Sequence, residues 1–563
     1  MVSPYLTKKK EESLSLEHSI RKLFQVIYKE QHKEEKVNED EARIKVSDLI
    51  SKMAFYYEKI RNAVDYNEEH LHRKDAILRI LKRQIVIEGL VKENKNEELA
   101  SSLLVELIRA GYLPNNRVPE SKIDEVAEVI EKHIRLRNSI LPKFGGIGDI
   151  SRQVEKVITK EKREIGGWLL GLMASEIESI LEKDKVKEIV VSNMYEYLVD
   201  NIKLPTNFSE YEKDRELQVY LAIFRNYMKF DRDMLAFIVF KYYHAEWWMP
   251  KDNDISAIAQ NINVLRKAID HQLDHPLAKQ LNKHIGRYTI YYQVLVDMIS
   301  EDPAKLYETI KIKPDKFPAL VRGAFTKRYE AARKKLWRAG MNSIFYILVA
   351  KIIFAIALEF PVMNFIGKNW NAMSQAVNIL FPPLFLFFVI IFTRVSSEEN
   401  TKKVIQGVSE ITFVEKKRTE PIVLRKPAGR NHVLGSIFNL VYGVTYLISF
   451  GAIIYVLNKL DFTWITMSGF LLFLALLSFF SIRIRRNVRQ MIIVEEKENI
   501  FSFIIDFFFV PIISVGKWLS AKFSHLNVFV FVLDFIIEAP FKVLVGIAEE
   551  WTKYVRERKE DIV

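Results

Sequence analysis

The chain has 563 residues, 49% of them hydrophobic, enough for a soluble body with an ordinary core and a bundle of apolar helices besides. It contains no cysteine, which excludes disulfides, thiol nucleophiles, iron–sulfur clusters and cysteine-ligated zinc. Its net charge of +12 does not indicate nucleic-acid binding. Residues 1–300 carry 48 Lys and Arg against 48 Asp and Glu, residues 301–340 carry 11 against 5, and residues 341–563 carry 24 against 18, so the excess lies beside or within the most apolar part.

The N-terminus places Lys8 to Lys10 before Glu11 and Glu12 with no apolar stretch behind them, so neither a secretory signal nor a presequence is expected. Residues 1–140 read as a first soluble helical region. In EELASSLLVELIRAGYLP, Leu99, Leu103, Leu107 and Ile108 share one helix face, and Gly111 with Pro114 ends it. A second helix starts at Ser121, with Asp124 three residues on as in a capping box, and continues through Val126, Val129, Ile130 and Ile134.

The loop LPKFGGIGDI opens a second soluble region, residues 141–340, that ends in a basic juxtamembrane helix. Gly146-Ile147-Gly148-Asp149 spells the GxGD of intramembrane aspartyl proteases, but Lys143, Arg152, Glu155 and Lys156 around it exclude a bilayer setting. A helix cap at Asp149 or Ser151 is the expectation. KEIVVSNMY around Val190 suits a strand or a helix. Residues 219–250 are aromatic-rich and fit two helices meeting at Asp231, with adjacent Trp247 and Trp248 unable to point the same way. His271 and His275 stand four apart, as metal-binding pairs do on a helix, yet Pro276 follows and no glutamate completes HExxH; solvated helix-end residues are expected and no metal or cofactor is assigned. Asp302-Pro303 marks another helix start.

Residues 341–489 carry four apolar runs, each near or above the roughly 20 residues needed to cross a bilayer. Basic residues crowd ahead of the first, between the second and third, and after the fourth, whereas the alternate loops hold only Lys368 and Lys459. The positive-inside asymmetry predicts a multi-pass membrane protein with both termini cytoplasmic. Lys351 falls mid-span and needs a partner or water, and Pro382-Pro383 remove two successive helical hydrogen bonds, predicting a kink or break.

Residues 490–563 contain a weak repeat, IIDFFFVPIISVG and VLDFIIEAPFKVLVG, read as an interfacial or re-entrant helical pair with a cytoplasmic tail. Asp506, Asp534, Glu538 and Lys542 are its intramembrane polar residues, and Asp506 is the first expected partner of Lys351. The fold class is therefore all-α: a large cytoplasmic helical domain followed by a polytopic helical membrane domain. HExxH and GxSxG are both absent. The expected function is a non-enzymatic scaffold partnered by the lipid bilayer and a cytoplasmic protein, the alternative a transporter or channel working through Lys351 and the C-terminal acids. The oligomeric state is not legible.

Overall fold

Among the described residues the chain is helical wherever apolar residues recur at helical spacing, and only two short strands occur. The computed structural model describes residues 15–32, 42–47, 68–87, 95–140, 152–182, 184–205, 209–367, 371–393, 397–426, 432–494 and 500–525, with a few isolated positions besides. The chain divides into two compact units. One comprises His18–Thr289, Arg418–Lys426 and Ala539–Val563; the other comprises Met1–Glu17, Ile290–Lys417 and Pro427–Glu538.

In the first unit, α1 (His18–Gln31), α2 (Glu69–Leu81), α3 (Asn96–Arg109), α4 (Ser121–Ile140), α5 (Arg152–Leu181) and α6 (Lys185–Asn201) come in succession. Then follow α7 (Glu212–Ile223), α8 (Arg232–Tyr243), α9 (Asp252–Gln260), α10 (Ile262–Leu273) and α11 (Ala278–Glu301), inside which the unit boundary falls. The face expected on α3 is the buried one, with Leu99, Leu103, Leu107 and Ile108 packed against Val126, Val129 and Ile130 of α4. Gly111 ends that packing with a φ of 78°, a left-handed turn that glycine adopts without strain.

The segment around Val190 is helix, not strand. Asp184 accepts hydrogen bonds from the backbone N–H of Val186 and Lys187, and Val190, Val191 and Met194 bury together one turn apart. Asp231 caps α8 through the N–H of Met234 and also takes Lys74, which is buried between Asp231 and Asp233 at 2.7 Å from each. Trp247 is buried, whereas Trp248 is 82% exposed. The loop at 141–151, with its GxGD, lies outside the described residues.

A second core joins α4, α5, α8 and α9 around a buried polar centre. Glu176 of α5 accepts from Lys132 (2.6 Å), from His133 Nε2 (2.8 Å) and from the Trp247 indole (2.9 Å). Lys132 also reaches the Trp247 carbonyl at 3.2 Å and lies over its ring. With Nε2–H donating, His133 leaves a bare lone pair at Nδ1, which burial tolerates better than an unpaired donor would be; burial pushes its pKa down. The two strands, β1 (Ile202–Lys203) and β2 (Ile422–Val423), pair in parallel within this unit, and Gln280 of α11 exchanges two hydrogen bonds with the Arg425 backbone.

The second unit holds the apolar helices: α12 (Pro303–Ile312), α13 (Phe317–Phe354), α14 (Phe360–Phe365), α15 (Ala372–Ile391), α16 (Glu398–Thr412), α17 (His432–Lys459), α18 (Trp464–Gln490) and α19 (Ile500–His525). Asp302 caps α12 on the N–H of Lys305, ahead of Pro303. Four helical stretches are long and apolar enough to cross a membrane: within 314–365, α15, most of α17, and α18. The α15 helix runs unbroken through Pro382 and Pro383, so no break interrupts it there. α16 packs on the basic half of α13, and Gly407 admits the Tyr291 ring where a Cβ would clash at 2.1 Å. Asn400, fully buried, accepts from the N–H of Ile493 and Val494 and donates to the Met491 carbonyl, fastening the end of α18. α19 continues through Pro511 and lies along α18, with Gly516 against the Ala475 carbonyl.

Acid should loosen the first unit through Glu176. Burial alone would raise its pKa, but the hydrogen bonds from His133 and Lys132 and the charge of Lys132 prevail and hold it at about 2. An unfolded glutamate titrates near 4.5, so this stabilisation is complete above that pH and is lost as pH falls towards about 2. Glu176→Gln should remove that part of the acid dependence. It should also lower stability near pH 7 by about 3–5 kcal/mol by leaving Lys132 without its counter-charge. Urea unfolding of the full chain in detergent, near pH 7 and near pH 3, measures both effects.

Candidate functional site: an ion pair inside the apolar bundle

A lysine among apolar helices costs roughly 2.5–3.5 kcal/mol at mid-span on insertion scales, so its surroundings must compensate. Lys351 sits near the end of α13 and is completely buried. Its ammonium donates to Glu359 Oε1 at 2.8 Å, and the two side chains are 0% and 2% exposed. The rings of Phe354 and Phe473 lie 5.1 and 4.6 Å from the ammonium and add cation–π attraction. The second carboxylate oxygen accepts from Asn378 Nδ2 of α15 at 2.7 Å. Gly469 of α18 leaves room for Glu359, since a Cβ there would stand 2.6 Å from Oε1.

The pairing depends on a local defect in the helix. At about 100° per residue, eight positions place Glu359 roughly 80° around the axis from Lys351. Residues Ala355–Glu359 form a π turn in which Phe360 N–H donates to the Ala355 carbonyl. The extra residue it accommodates returns Glu359 to within about 20° of Lys351. Pro361, just beyond, has no N–H to offer the Ala357 carbonyl, so regular helical bonding already fails at this point.

Among the described residues the carboxylate that Lys351 meets is Glu359, from its own helical segment, whereas the expected partners lie in the C-terminal repeat. Asp506 lies in α19, but its side chain is outside the described residues, as are Asp534, Glu538 and Lys542 altogether. Periodicity does not select Glu359, because its spacing from Lys351 is wrong for a regular helix; Pro361 is the signal that could have found it. Asn378 escaped sequence reading, although an asparagine in an apolar run is itself a polar mark. Its Oδ1 is buried without a hydrogen-bond partner among the described residues.

The rings of His271 and His275 stand 6.0 Å apart; His271 is exposed as expected, whereas His275 is buried rather than solvated. His271 closes α10, and His275, beyond its end, accepts at Nδ1 from the Leu277 N–H at 3.2 Å. The neighbouring Asp270 and Asp274 are both taken by Arg232, at 2.7 and 2.9 Å. Among the described residues no group of three or more His, Asp or Glu side chains is arranged to hold a metal.

A further polar cleft of about 460 Å³ lies between the starts of α2 and α6, lined by Glu68, Glu69, His70, Arg73, Glu182, Asp184 and Lys187. Its charges are largely spent on one another. Arg73 reaches Glu178 and Glu182, and Lys187 reaches Glu182 at 2.5 Å. Burial raises Glu178 to about 7 against the pull of Arg73.

No family model matches the chain, no curated protein matches its sequence, and no solved structure matches its fold.

The pairing predicts strong non-additivity. Lys351→Met should destabilise the protein by about 3–5 kcal/mol through the buried glutamate it abandons, and adding Glu359→Gln should restore much of the loss. Combining Lys351→Met with Asp506→Asn should instead give additive effects. Thermal unfolding in detergent across both cycles decides; a rescue by Asp506→Asn alone would overturn the assignment.

Proposed function

We propose that this chain is a non-enzymatic integral membrane protein that anchors a cytoplasmic helical domain, which serves as a partner-binding or membrane-organising scaffold. The observation that carries the reading is the closure of the Lys351–Glu359 pair. A transport site must exchange its charges with water or cargo, whereas this pair is engaged on both sides, screened by two phenyl rings and closed to solvent. The four apolar helices then act as an anchor, and their basic flanks set its orientation: the first half of α13, the 397–426 connection and the end of α18 on the cytoplasmic side.

A transporter or channel is the second reading. The unpartnered Asn378 Oδ1 beside a carboxylate, and a π turn of the kind often found at functional sites, favour it.

Reconstituted vesicles separate the two. The scaffold reading expects proton and alkali-cation leak equal to that of protein-free vesicles, unchanged by Lys351→Met with Glu359→Gln. Flux that depends on the pair would overturn it. Because the chain lacks cysteine, orientation has an independent test. An impermeant maleimide should label Lys459→Cys and Asn371→Cys on intact cells, and should label Lys402→Cys only after permeabilisation. The reverse pattern would overturn the topology.

A further inference from the structure

We propose that Arg485, Arg486 and Arg489 at the C-terminal end of α18, with Arg338 of α13, form a docking surface for the phosphate headgroups of anionic lipids in the leaflet that end of the bundle faces. Arg485 and Arg489 lie four apart and share a helix face, an arrangement in which like charges repel. Arg485 is half-buried; its Nε donates to the Ser481 carbonyl at 3.2 Å, and its two terminal nitrogens meet no acceptor among the described residues. Arg486, Arg489 and Arg338 are exposed and make no ion pair among the described residues. On α16, which Asn400 fastens to the end of α18, Glu398 takes Arg322 and Glu399 takes Lys403.

Helix geometry puts this cluster at headgroup level. Trp464, exposed at the start of α18, is 21 residues before Arg485, a rise of about 31 Å that matches the roughly 30 Å hydrocarbon layer. Phe473 meets Phe354 and Gly469 faces Glu359, so α13 and α18 run antiparallel. Continuing that register from Phe473 and Phe354 brings Arg485 level with Asn342 and Arg489 level with Arg338. Unneutralised guanidinium groups on two packed helices, where apolar surface gives way to polar, match a phosphate diester presented by a lipid whose chains lie along the same helices.

The inference rests on these helices crossing a bilayer but not on the scaffold reading. Resistance of the protein to carbonate extraction from membranes tests the crossing, so the two failures are distinguishable.

The test is thermal unfolding of the detergent-solubilised full chain with added phosphatidylglycerol, phosphatidylcholine or inorganic phosphate. Phosphatidylglycerol should raise Tm by several degrees, and the other two should not. The shift should vanish in Arg485→Gln with Arg489→Gln and persist in the Lys402→Gln control. Equal stabilisation by phosphatidylcholine or by phosphate alone would overturn the proposal, as would a shift that survives the double substitution. Should the double variant not fold, the single variant Arg489→Gln, at an exposed position, is expected to reduce the shift, and an undiminished shift would count against the surface.

Discussion

The apolar bundle is organised by the need to bury one positive charge. Lys351 is held by a carboxylate, and that carboxylate requires a π turn, an asparagine from α15, a glycine on α18 and two aromatic rings around the ammonium. Three helices thereby meet at one depth, two through a hydrogen bond and the third through a cation–π contact, in a setting where the hydrophobic effect gives no preference for one helix–helix arrangement over another. Removing any one element leaves a charge or a dipole without compensation, so the group acts as a register pin as much as a source of stability.

The first unit repeats the arrangement in a different medium. Glu176 gathers Lys132, His133 and the Trp247 indole, and Lys74 sits between two aspartates that also shape the start of α8. In both units the buried charges belong to residues that position helices. Arg232 takes both carboxylates next to His271 and His275. An acid engaged by a guanidinium makes a poor metal ligand.

Much of the fold was legible in the sequence, because helices announce themselves through periodicity and caps. The stripe of α3, the start at Asp302-Pro303 and the opposite fates of Trp247 and Trp248 follow from local rules. What was not legible depended on departures from those rules. The 351–359 pairing needs a helix that is locally not α, and α15 stays continuous through Pro382-Pro383 although proline statistics argue for a break. The valines around Val190 left strand and helix both open, and the cap at Asp184 with the tertiary contacts made helix. The role of Asn400 could not be read at all, because its partners lie more than ninety positions away.

The pairing of β1 with β2 bears on biogenesis. The two strands are separated in the chain by two of the apolar helices, so the edge of β1 and the amide of Gln280 wait for a segment synthesised long after them. The first unit is therefore not a bead completed before the ribosome reaches the apolar region. A late piece of it is delivered by the connection between the second and third apolar helices, so the domain cannot be complete before both helices ahead of that connection have been synthesised. A quality-control protease that recognised the unpaired β1 edge would be reading synthesis of those apolar helices from a site within the helical domain.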